Sequence, residues 1–279
     1  MIDKSQITLI IPHLGGSNES EYALSQCLTS LNETAPDIKK IVAINGRKCL
    51  THSPDIFVAE QGQNTATNAA VATTNTEWIM VSNDDQVYPS GWWEKLTNNL
   101  FDSLTVWGEL KIKCISPKLI EPIDGAPTFE KYFCGGAGGD FDKHKFLDFA
   151  KNHQGQGVRT GFNLPFLIKR ELWDTVGGYD INYDPWGSNG DSDLEYKIKL
   201  AGVQSYQNTN CVVYHFSQTS GTSHPENRPY WQKNWDYFIE KWGFERASGN
   251  AIWQADFDIP QEKLKYKPSW MGKYNAQIR

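Results

Sequence analysis

Short apolar runs alternate with helical or small-residue segments through the first third of the chain. The runs at residues 7–11, 41–44 and 78–82 have the length of buried strands, and each ends at polar, Gly or Pro positions. Between them, residues 21–33 show a helical apolar period, and the Ala- and Thr-rich segment 64–74 favours a short, closely packed helix. This alternation predicts an α/β fold whose parallel sheet has right-handed crossovers and helices on both faces.

The pattern continues through residues 91–104 and then changes. Ser90 can cap a helix there, and the apolar face of that helix would consist of Trp93, Leu96, Leu100 and Leu104. Between about 116 and 160 no period persists, because prolines and the glycine cluster 135–139 interrupt it. We therefore expect a long irregular segment, which in a compact domain is usually a functional lid or a mobile loop.

Composition and charge narrow the class of protein. The chain has 279 residues, 39% of them hydrophobic, which is enough for one large α/β domain with an extension. A net charge of −6 and a pI near 5.6 count against a protein that wraps nucleic acid through bulk electrostatics. The net charge therefore disfavours DNA as a partner, although a chain that is acidic overall can still have a locally basic groove.

The cysteines and the lack of a signal-peptide or membrane-span pattern indicate the cellular compartment that we expect for the protein. Five scattered cysteines, odd in number and without a Cys-x-x-Cys pair, indicate neither a disulfide framework nor a zinc site. The N-terminus has no basic region followed by an apolar stretch, and no segment reaches the roughly 18 apolar residues of a membrane span. We expect a cytoplasmic protein without an integral membrane segment, attached to a membrane at most peripherally.

Two adjacent acids follow the apolar run at residues 78–82. Asn83, Asp84 and Asp85 leave this predicted strand at its carboxyl end, which is where ligands bind in open α/β sheets. Two neighbouring carboxylates repel each other unless a positive charge lies between them, and a divalent cation bridging to phosphate would supply that charge. Taken alone, the same tripeptide is also typical of an ordinary turn.

A second acidic cluster and a late histidine could complete such a site. Residues 191–201 predict a helix with one apolar face, which places Asp191 in its first turn. Asp191 could act chemically or could only complement the charge of the helix N-terminus. Residues 209–215 predict a strand ending at His215, which could bind a metal beside two carboxylates or could be structural.

The order of these segments resembles the GT-A superfamily of glycosyltransferases and, within it, the inverting glycosyltransferase family 2. Residues 10–13 match the first strand and its nucleotide-contacting loop, and residues 63–70 are similar to the Asn-rich helix before the metal strand. Asn83-Asp84-Asp85 resembles the family's Asp-x-Asp motif with the first acid replaced by an amide. The resemblance and the positions of the predicted strand ends together imply that the nucleotide sugar is contacted by Pro12, His13, Asn45, Asn64, Asn68, Asn83 and Asp84.

Two later segments extend the resemblance. Residues 161–180 look like the segment that leads to the family's Gly-Gly-Phe-Asp turn. Residues 190–202 are similar to its Glu-Asp-x-Asp-Leu element with a following Arg and Ala-Gly, and here Gly190 replaces the usual acid and Lys197 the usual Arg. Together the matched segments run from residue 7 to about 221, and their combined order is more specific than any one of them.

The resemblance assigns roles to three residues. Asp191 falls on the position of the catalytic base, Asp85 on a metal ligand, and His215 on a late histidine that completes the metal site in some members. The implied activity is inverting transfer of a hexose or pentose from a nucleotide-diphosphate sugar to an acceptor hydroxyl, with Mn²⁺ or Mg²⁺. The acceptor could be a glycan, a small molecule or a modified macromolecule.

The expected domain arrangement and the competing functions follow from the same segments. Residues 1–225 would form the catalytic domain, with 1–115 binding the nucleotide sugar and 116–225 holding the acceptor and the base. The aromatic segment 226–279 would be a C-terminal extension packed on the core, or a wall for acceptor sugars. Leu14-Gly15-Gly16 leaves a sugar-nucleotidyltransferase open, and the departures at Asn83 and Gly190 leave open a degenerate nucleotide- or glycan-binding module.

Overall fold

Within the residues that the structure describes, a mixed sheet of ten strands lies at the centre of the fold, and a separate sheet of two short strands accompanies it. The computed structural model describes residues 2–47, 49–60, 62–97, 105–106, 109–110, 112–123, 129–217 and 225–267. The strands are β1 (Ile7–His13), β2 (Lys39–Asn45), β3 (Ile56–Val58), β4 (Trp78–Val81), β5 (Gln86–Val87), β6 (Thr105–Val106), β7 (Glu109–Leu110), β8 (Cys114–Glu121), β9 (Phe129–Lys131), β10 (Val158–Thr160), β11 (Phe166–Lys169) and β12 (Tyr206–His215). The α-helices are α1 (Asn18–Thr34), α2 (Gln63–Ala72), α3 (Trp92–Thr97), α4 (Lys143–Asn152), α5 (Arg170–Val176), α6 (Gly190–Leu200), α7 (Arg228–Trp242) and α8 (Gly249–Trp253).

The sheet brings the carboxyl ends of seven strands to one edge: β1, β2, β3, β4, β8, β9 and β12. Along the sheet the order is β10-β12-β8-β11-β4-β1-β2-β3. β1 pairs in parallel with β2 and β4, β2 with β3, and β8 with β12. β11 is antiparallel to both β4 and β8, so β8 and β12 run in the same direction as β4. The predicted α/β fold with a mostly parallel sheet is confirmed, whereas the antiparallel β11 was not predicted.

The sequence correctly predicted the first strands and helices. α1 begins after Ser17, whose side chain accepts from the Ser20 amide in a capping box, and α2 covers most of the predicted segment 64–74. In the predicted helix 91–104, α3 occupies Trp92–Thr97 with Trp93 and Leu96 buried. Its other predicted apolar positions, Leu100 and Leu104, lie outside the described residues.

The prediction that residues 116–160 are irregular is wrong. β8 lies inside the sheet between β11 and β12, and α4 starts at Asp142, whose side chain accepts from the Lys145 amide. Pro117 lies within β8 although it cannot donate a ladder hydrogen bond. The β8–β12 register shifts between Asn208 and Val212, beside Pro117, so a local irregularity accommodates the proline. Among the described residues of this segment, the stretch 132–142 around the glycine cluster is without helix or strand, as expected, and so are 122–123 and 153–157.

Alternation along the strands divides the core into two layers. Leu9 and Ile11 of β1 pack on one face of the sheet with apolar residues of α1 and α3, whereas Ile10 packs on the other face with residues of α2, α5 and α6. Each fully buried side chain of this kind contributes about 1.5–3 kcal/mol. A further cluster joins Phe238 and Trp242 of α7 to Tyr196 of α6. The aromatic C-terminal segment therefore packs against the helix that begins with the candidate base.

No helix in the described ranges has both the length and the apolar character that crossing a membrane requires.

Candidate functional site

A cleft of about 830 Å³ opens at the edge where the parallel strands end. Sequence segments far apart in the chain meet there because β1, β2, β4 and β12 all point to this edge. Eight of the ten predicted site residues line the cleft: Pro12, Asn45, Asn64, Asn83, Asp84, Asp85, Asp191 and His215. The other two, His13 and Asn68, lie behind its wall and hydrogen-bond to residues that position the site.

Asp85 and His215 meet in the cleft through an imidazole held between two carboxylates. His215 Nε2 lies 3.2 Å from Asp85 Oδ1, and His215 Nδ1 lies 2.6 Å from Glu121 Oε1. The β8–β12 register pairs Ile120 with Tyr214, which sets Glu121 beside His215. Burial works against the charged imidazole, but the two carboxylates outweigh it and raise the pKa of His215 to about 10.

This arrangement fits a divalent cation. Glu121 accepts from Nδ1 and so fixes the ring, which leaves Nε2 directed toward the Asp85 carboxylate. A carboxylate oxygen and an imidazole nitrogen are ligands for borderline divalent metals, and a carboxylate behind the histidine is their usual support. A cation bound there would supply the positive charge that the imidazole carries beside Asp85 when it is protonated.

Asp84 is anchored from behind by a buried chain of polar groups. Its Oδ2 lies 2.5 Å from Nδ1 of the wholly buried His13, whose Nε2 lies 3.7 Å from Glu21 Oε1. Burial lowers the pKa of His13, but Asp84 and Glu21 outweigh it and raise that pKa. His13 thus holds the Asp84 side chain in place from below the cleft surface.

Glu21 joins this chain to the loop after β2. His13, Glu21 and Cys49 bring ligand atoms within 4.8 Å of one another, a grouping that could hold a metal. The Glu21 carboxylate, however, already accepts from the amides of Leu50 and Thr51 at 2.9 and 3.0 Å and from the Thr51 hydroxyl at 2.6 Å. Those hydrogen bonds account for a loop anchor without any metal.

Two amides and one distant aspartate shape the end of the cleft at α2. Asn45 donates to the His13 carbonyl and accepts from the Gly62 amide, which ties β1, β2 and the start of α2 together. α2 has no side-chain cap of its own, and Asp184 takes that role by accepting from the amides of Asn64 and Thr65. A Cβ atom on Gly62 would lie 2.4 Å from Asp184 Oδ2, so only glycine allows this approach.

Asp191 is positioned by a chain of hydrogen bonds from α2. Asn68 binds both the amide and the carbonyl of Tyr179, and the Tyr179 hydroxyl donates to Asp191 Oδ1 at 2.7 Å. Burial raises the pKa of Asp191 to about 6, although the Tyr179 hydrogen bond acts in the opposite direction. An ionised carboxylate with a pKa near neutrality has the properties of a general base.

Two of the three departures from the pattern that the sequence resembles, Gly190 and Lys197, have physical explanations. A Cβ atom on Gly190 would lie 3.1 Å from the side-chain amide of Asn64, so a larger residue there would press on a residue that lines the cleft. Lys197 is wholly buried; its Nζ donates to the Gly178 carbonyl and lies 3.3 Å from Asp193 Oδ2. A lysine therefore joins the turn before α6 to the helix itself.

The lining of the cleft also includes aromatic and basic side chains. They come from the loop before α6, from α7 and α8, and from the loop between those two helices, and they include Trp186, Arg228, Trp231, Trp235, Arg246 and Trp253. Trp231, which is 46% exposed, lies at the surface of this part of the cleft.

Sequence reasoning missed three residues that support the site. Glu121 lies in the segment expected to be irregular, so nothing indicated that it would be adjacent to His215. Asp184 acts on a helix 120 residues earlier in the chain. Tyr179 belongs to a matched segment, but only the fold brings its hydroxyl to Asp191.

Comparisons with known proteins identify the fold. No protein-family model matches the sequence, and no curated protein matches it. The mannosyltransferase PcManGT from Pyrobaculum calidifontis, in complex with GDP-Man and Mn²⁺, aligns at a TM-score of 0.52 and 13% identity, over 98% of this chain and 73% of its own. GalNAc-T7 with UDP, GalNAc and Mn²⁺ aligns at 0.55 and 14%, over 98% of this chain and 54% of its own.

These likenesses show that the chain has the GT-A fold of glycosyltransferases, as its sequence predicted. The chain spans about half the length of GalNAc-T7. At such low identity the likeness concerns the fold, and the activity has to be argued from the site.

Proposed function

We propose that the protein is a glycosyltransferase that moves a hexose or pentose from a nucleotide-diphosphate donor to an acceptor hydroxyl. The observation that carries this proposal is the shared cleft, in which Asp85, His215 and Asp191 meet on a GT-A fold. Similar folds have been solved with GDP-Man and Mn²⁺ and with UDP, GalNAc and Mn²⁺. Five free cysteines agree with a reducing, cytoplasmic setting.

Asp85 and His215 are the proposed ligands of a divalent cation, Mn²⁺ or Mg²⁺. When bound, such a cation offsets the charge of the donor diphosphate and of the leaving nucleotide. Glu121 holds the His215 ring in the orientation that this role requires. The chain's own contribution is therefore a fixed pair of ligands at the strand ends.

The donor would occupy the part of the cleft between β4 and α2. We assign contacts with the nucleotide sugar to Pro12, Asn45, Asn64, Asn83 and Asp84, all of which line the cleft. His13 and Asn68, which the sequence also suggested, would act as positioning residues for Asp84 and for Tyr179. This division follows from their hydrogen bonds.

Asp191 would act as the general base. It would take the proton from the acceptor hydroxyl while that oxygen bonds to the anomeric carbon and the diphosphate leaves with the bonding electron pair. One direct displacement inverts the anomeric configuration, as in the family 2 enzymes that the sequence resembles. Tyr179 fixes one oxygen of the carboxylate, which limits its rotation.

A panel of nucleotide sugars tests the proposal. Purified protein with Mn²⁺ should release nucleotide from one donor faster than from the others, and an acceptor should accelerate that release. NMR of the product should give an anomeric configuration opposite to that of the donor. Nucleotide-sugar binding without any nucleotide release would instead identify a binding module. Retention of the anomeric configuration would exclude a mechanism with a single displacement.

A further inference from the structure

Arg246 is a half-buried arginine held rigidly in the wall of the cleft. Its Nε donates to Asn189 Oδ1 at 2.7 Å and its Nη1 to the Ala247 carbonyl at 3.0 Å. The guanidinium carbon lies 5.1 Å from the centroid of the Trp235 ring. Two hydrogen bonds and one aromatic contact therefore fix the orientation of the guanidinium plane.

The charge of Arg246 has no partner in the described part of the chain. No acidic oxygen lies within 4 Å of its guanidinium there, and Nη2 makes no hydrogen bond with a described residue. A partly buried charge without a counter-ion is unfavourable, and burial lowers the pKa of Arg246 accordingly. A rigid guanidinium with free donors on a cleft suits a carboxylate or phosphate, which it can bind through charge-assisted hydrogen bonds.

The position of Arg246 points to the acceptor and not to the donor. Asn189, which holds its Nε, precedes the proposed base Asp191 by two residues, and all three line the cleft. Asp84 and Asp85, which are assigned to the donor and its cation, follow β4, whereas Arg246 lies in the loop between α7 and α8. An anion bound to Arg246 would therefore lie close to the hydroxyl that Asp191 deprotonates.

Neighbouring side chains favour a saccharide around that anion. Trp231, Trp235 and Trp253 line the same cleft and offer flat apolar faces with polar edges, the kind of surface on which sugar rings pack. The chain as a whole is acidic, with a net charge of −6, which disfavours long polyanions such as nucleic acid.

We propose that the acceptor is an acidic saccharide, whose carboxylate or phosphate binds Arg246 while its hydroxyl faces Asp191. This inference rests on the proposed transferase function and specifies its second substrate. The anion takes no part in the bond changes. It fixes the acceptor hydroxyl between the base and the donor.

Matched acceptors test this subsite once a donor is known from nucleotide release. A neutral hexoside, its uronate and its 6-phosphate should be compared at equal donor concentration. At least one acidic acceptor should have a kcat/KM at least tenfold above the neutral one, as expected of charge-assisted hydrogen bonds. The better of the two acids identifies the anion.

Two substitutions connect that preference to Arg246. Arg246→Gln should reduce the ratio of acidic to neutral kcat/KM to below about threefold, and Arg246→Lys, which keeps charge without the fork, should give an intermediate ratio. Arg159 is the matched control, because it bonds to Gln207 in the sheet and does not line the cleft. Arg159→Gln should keep the wild-type ratio. Thermal melts verify that each variant is folded. If Arg246→Gln does not fold, the comparison of wild type with Arg246→Lys tests the proposal.

Several outcomes would overturn the inference. Equal use of neutral and acidic acceptors would do so, as would a preference that Arg246→Gln leaves intact. A higher donor KM with unchanged acceptor preference would assign Arg246 to the donor diphosphate, and a hydroxylated base in nucleic acid preferred over every saccharide would change the substrate class. If no donor releases nucleotide, the proposed function fails, and calorimetry of the acidic and neutral saccharides against both Arg246 variants still decides the subsite.

Discussion

At the scale of a single residue, a substitution of the proposed base Asp191 tests catalysis separately from donor binding. Asp191→Asn keeps the shape and can still accept the Tyr179 hydrogen bond, but the amide cannot take a proton. Affinity for the nucleotide sugar, measured by calorimetry, should persist, while turnover should fall by roughly 10²–10⁴. Donor affinity and product formation need to be measured on the same preparation.

The competing explanation makes a different prediction for the same variant. If Asp191 only complements the N-terminus of α6, its replacement should cost at most about 1 kcal/mol of stability and leave turnover nearly intact. Asp174→Asn is a suitable control, because Asp174 is exposed on α5 and pairs with Arg170. Full turnover of the Asp191→Asn variant would show that Asp191 is not the general base.

The pH dependence of the reaction should report the same carboxylate. Burial raises the pKa of Asp191 to about 6, and a base must be ionised, so kcat/KM should rise with pH and level off above that value. At pH 5 roughly a tenth of the plateau rate should remain. Tyr179→Phe removes the hydrogen bond that stabilises the ionised form, so the acidic limb should move to higher pH. A limb that stays in place in this variant would assign the titration to another group.

Metal affinity should depend on a residue that does not reach the metal. Glu121→Gln leaves Asp85 and His215 in place but weakens the support of the imidazole, and it should raise the Mn²⁺ concentration for half-maximal activity by about 10–100-fold.

Substitution of the proposed ligands themselves should have larger effects. Asp85→Asn should lower turnover at least tenfold, about 1.4 kcal/mol. His215→Ala should remain folded but require more metal. Full activity of the wild-type protein in chelator would exclude the metal.

Individual site residues could be predicted where a polar side chain ends an apolar run, but their partners could not. Asp85 follows the buried strand β4 and His215 ends β12, so the sequence pattern alone predicts their location at the sheet edge. The contact of His215 with Glu121 depends on the β8–β12 register, which the sequence pattern does not reveal. The same limit explains His13, which was expected to contact the nucleotide sugar. It is completely buried under Asp84 and holds that side chain in place instead.

At the scale of elements, a buried ionic network joins α7 to the start of α6. Lys241 Nζ lies 2.6 Å from Asp193 Oδ1 and 2.8 Å from Asp180 Oδ2, and both aspartates are fully buried. Trp242 Nε1 donates to the same Asp193 oxygen at 2.9 Å. The network fixes the aromatic C-terminal segment against the turn and helix that present Asp191.

Removing the cation from this network should be costly. Lys241→Met leaves two buried carboxylates with less compensation and should lower the free energy of unfolding by about 3–5 kcal/mol in urea titrations. Lys233→Met is the matched control, because Lys233 is exposed on the same helix and should change stability by less than about 0.5 kcal/mol. Equal effects of the two substitutions would contradict the ionic role of Lys241.

Elements were predictable where the local pattern and the tertiary structure agree. β1, α1 and α2 have clear periods and caps or glycine boundaries, and the structure confirms them. β8 was missed because Pro117 is a strong local signal against a strand, and the irregular pairing that accommodates it is a tertiary feature. The apolar positions Phe146 and Ala150 with the cap at Asp142 were a usable signal for α4 that the surrounding glycines obscured.

At the scale of the whole molecule, the buried acid Glu195 and the proposed metal ligand His215 should make stability depend on pH. Burial raises the pKa of Glu195 to about 8 from an ordinary value of 4.5, so its contribution is present below 4.5 and is lost as the pH rises through 8. In metal-free protein His215 has its pKa raised to about 10 from 6.5, so its contribution is also lost as the pH rises above 6.5. Both groups act in the same direction.

Metal-free protein should therefore lose stability between pH 5 and 8.5, with each group contributing at most about 1.4 kcal/mol per pH unit. Glu195→Gln keeps a hydrogen-bonding partner for Ser205 but cannot ionise, so it should flatten the decline and make the variant more stable than wild type at pH 8.5. Glu171→Gln, an exposed change on α5, should leave the curve unchanged. Urea unfolding at several pH values in chelator measures these curves. A Glu195→Gln curve parallel to that of wild type would mean that Glu195 ionises at its ordinary pKa and that the decline arises elsewhere.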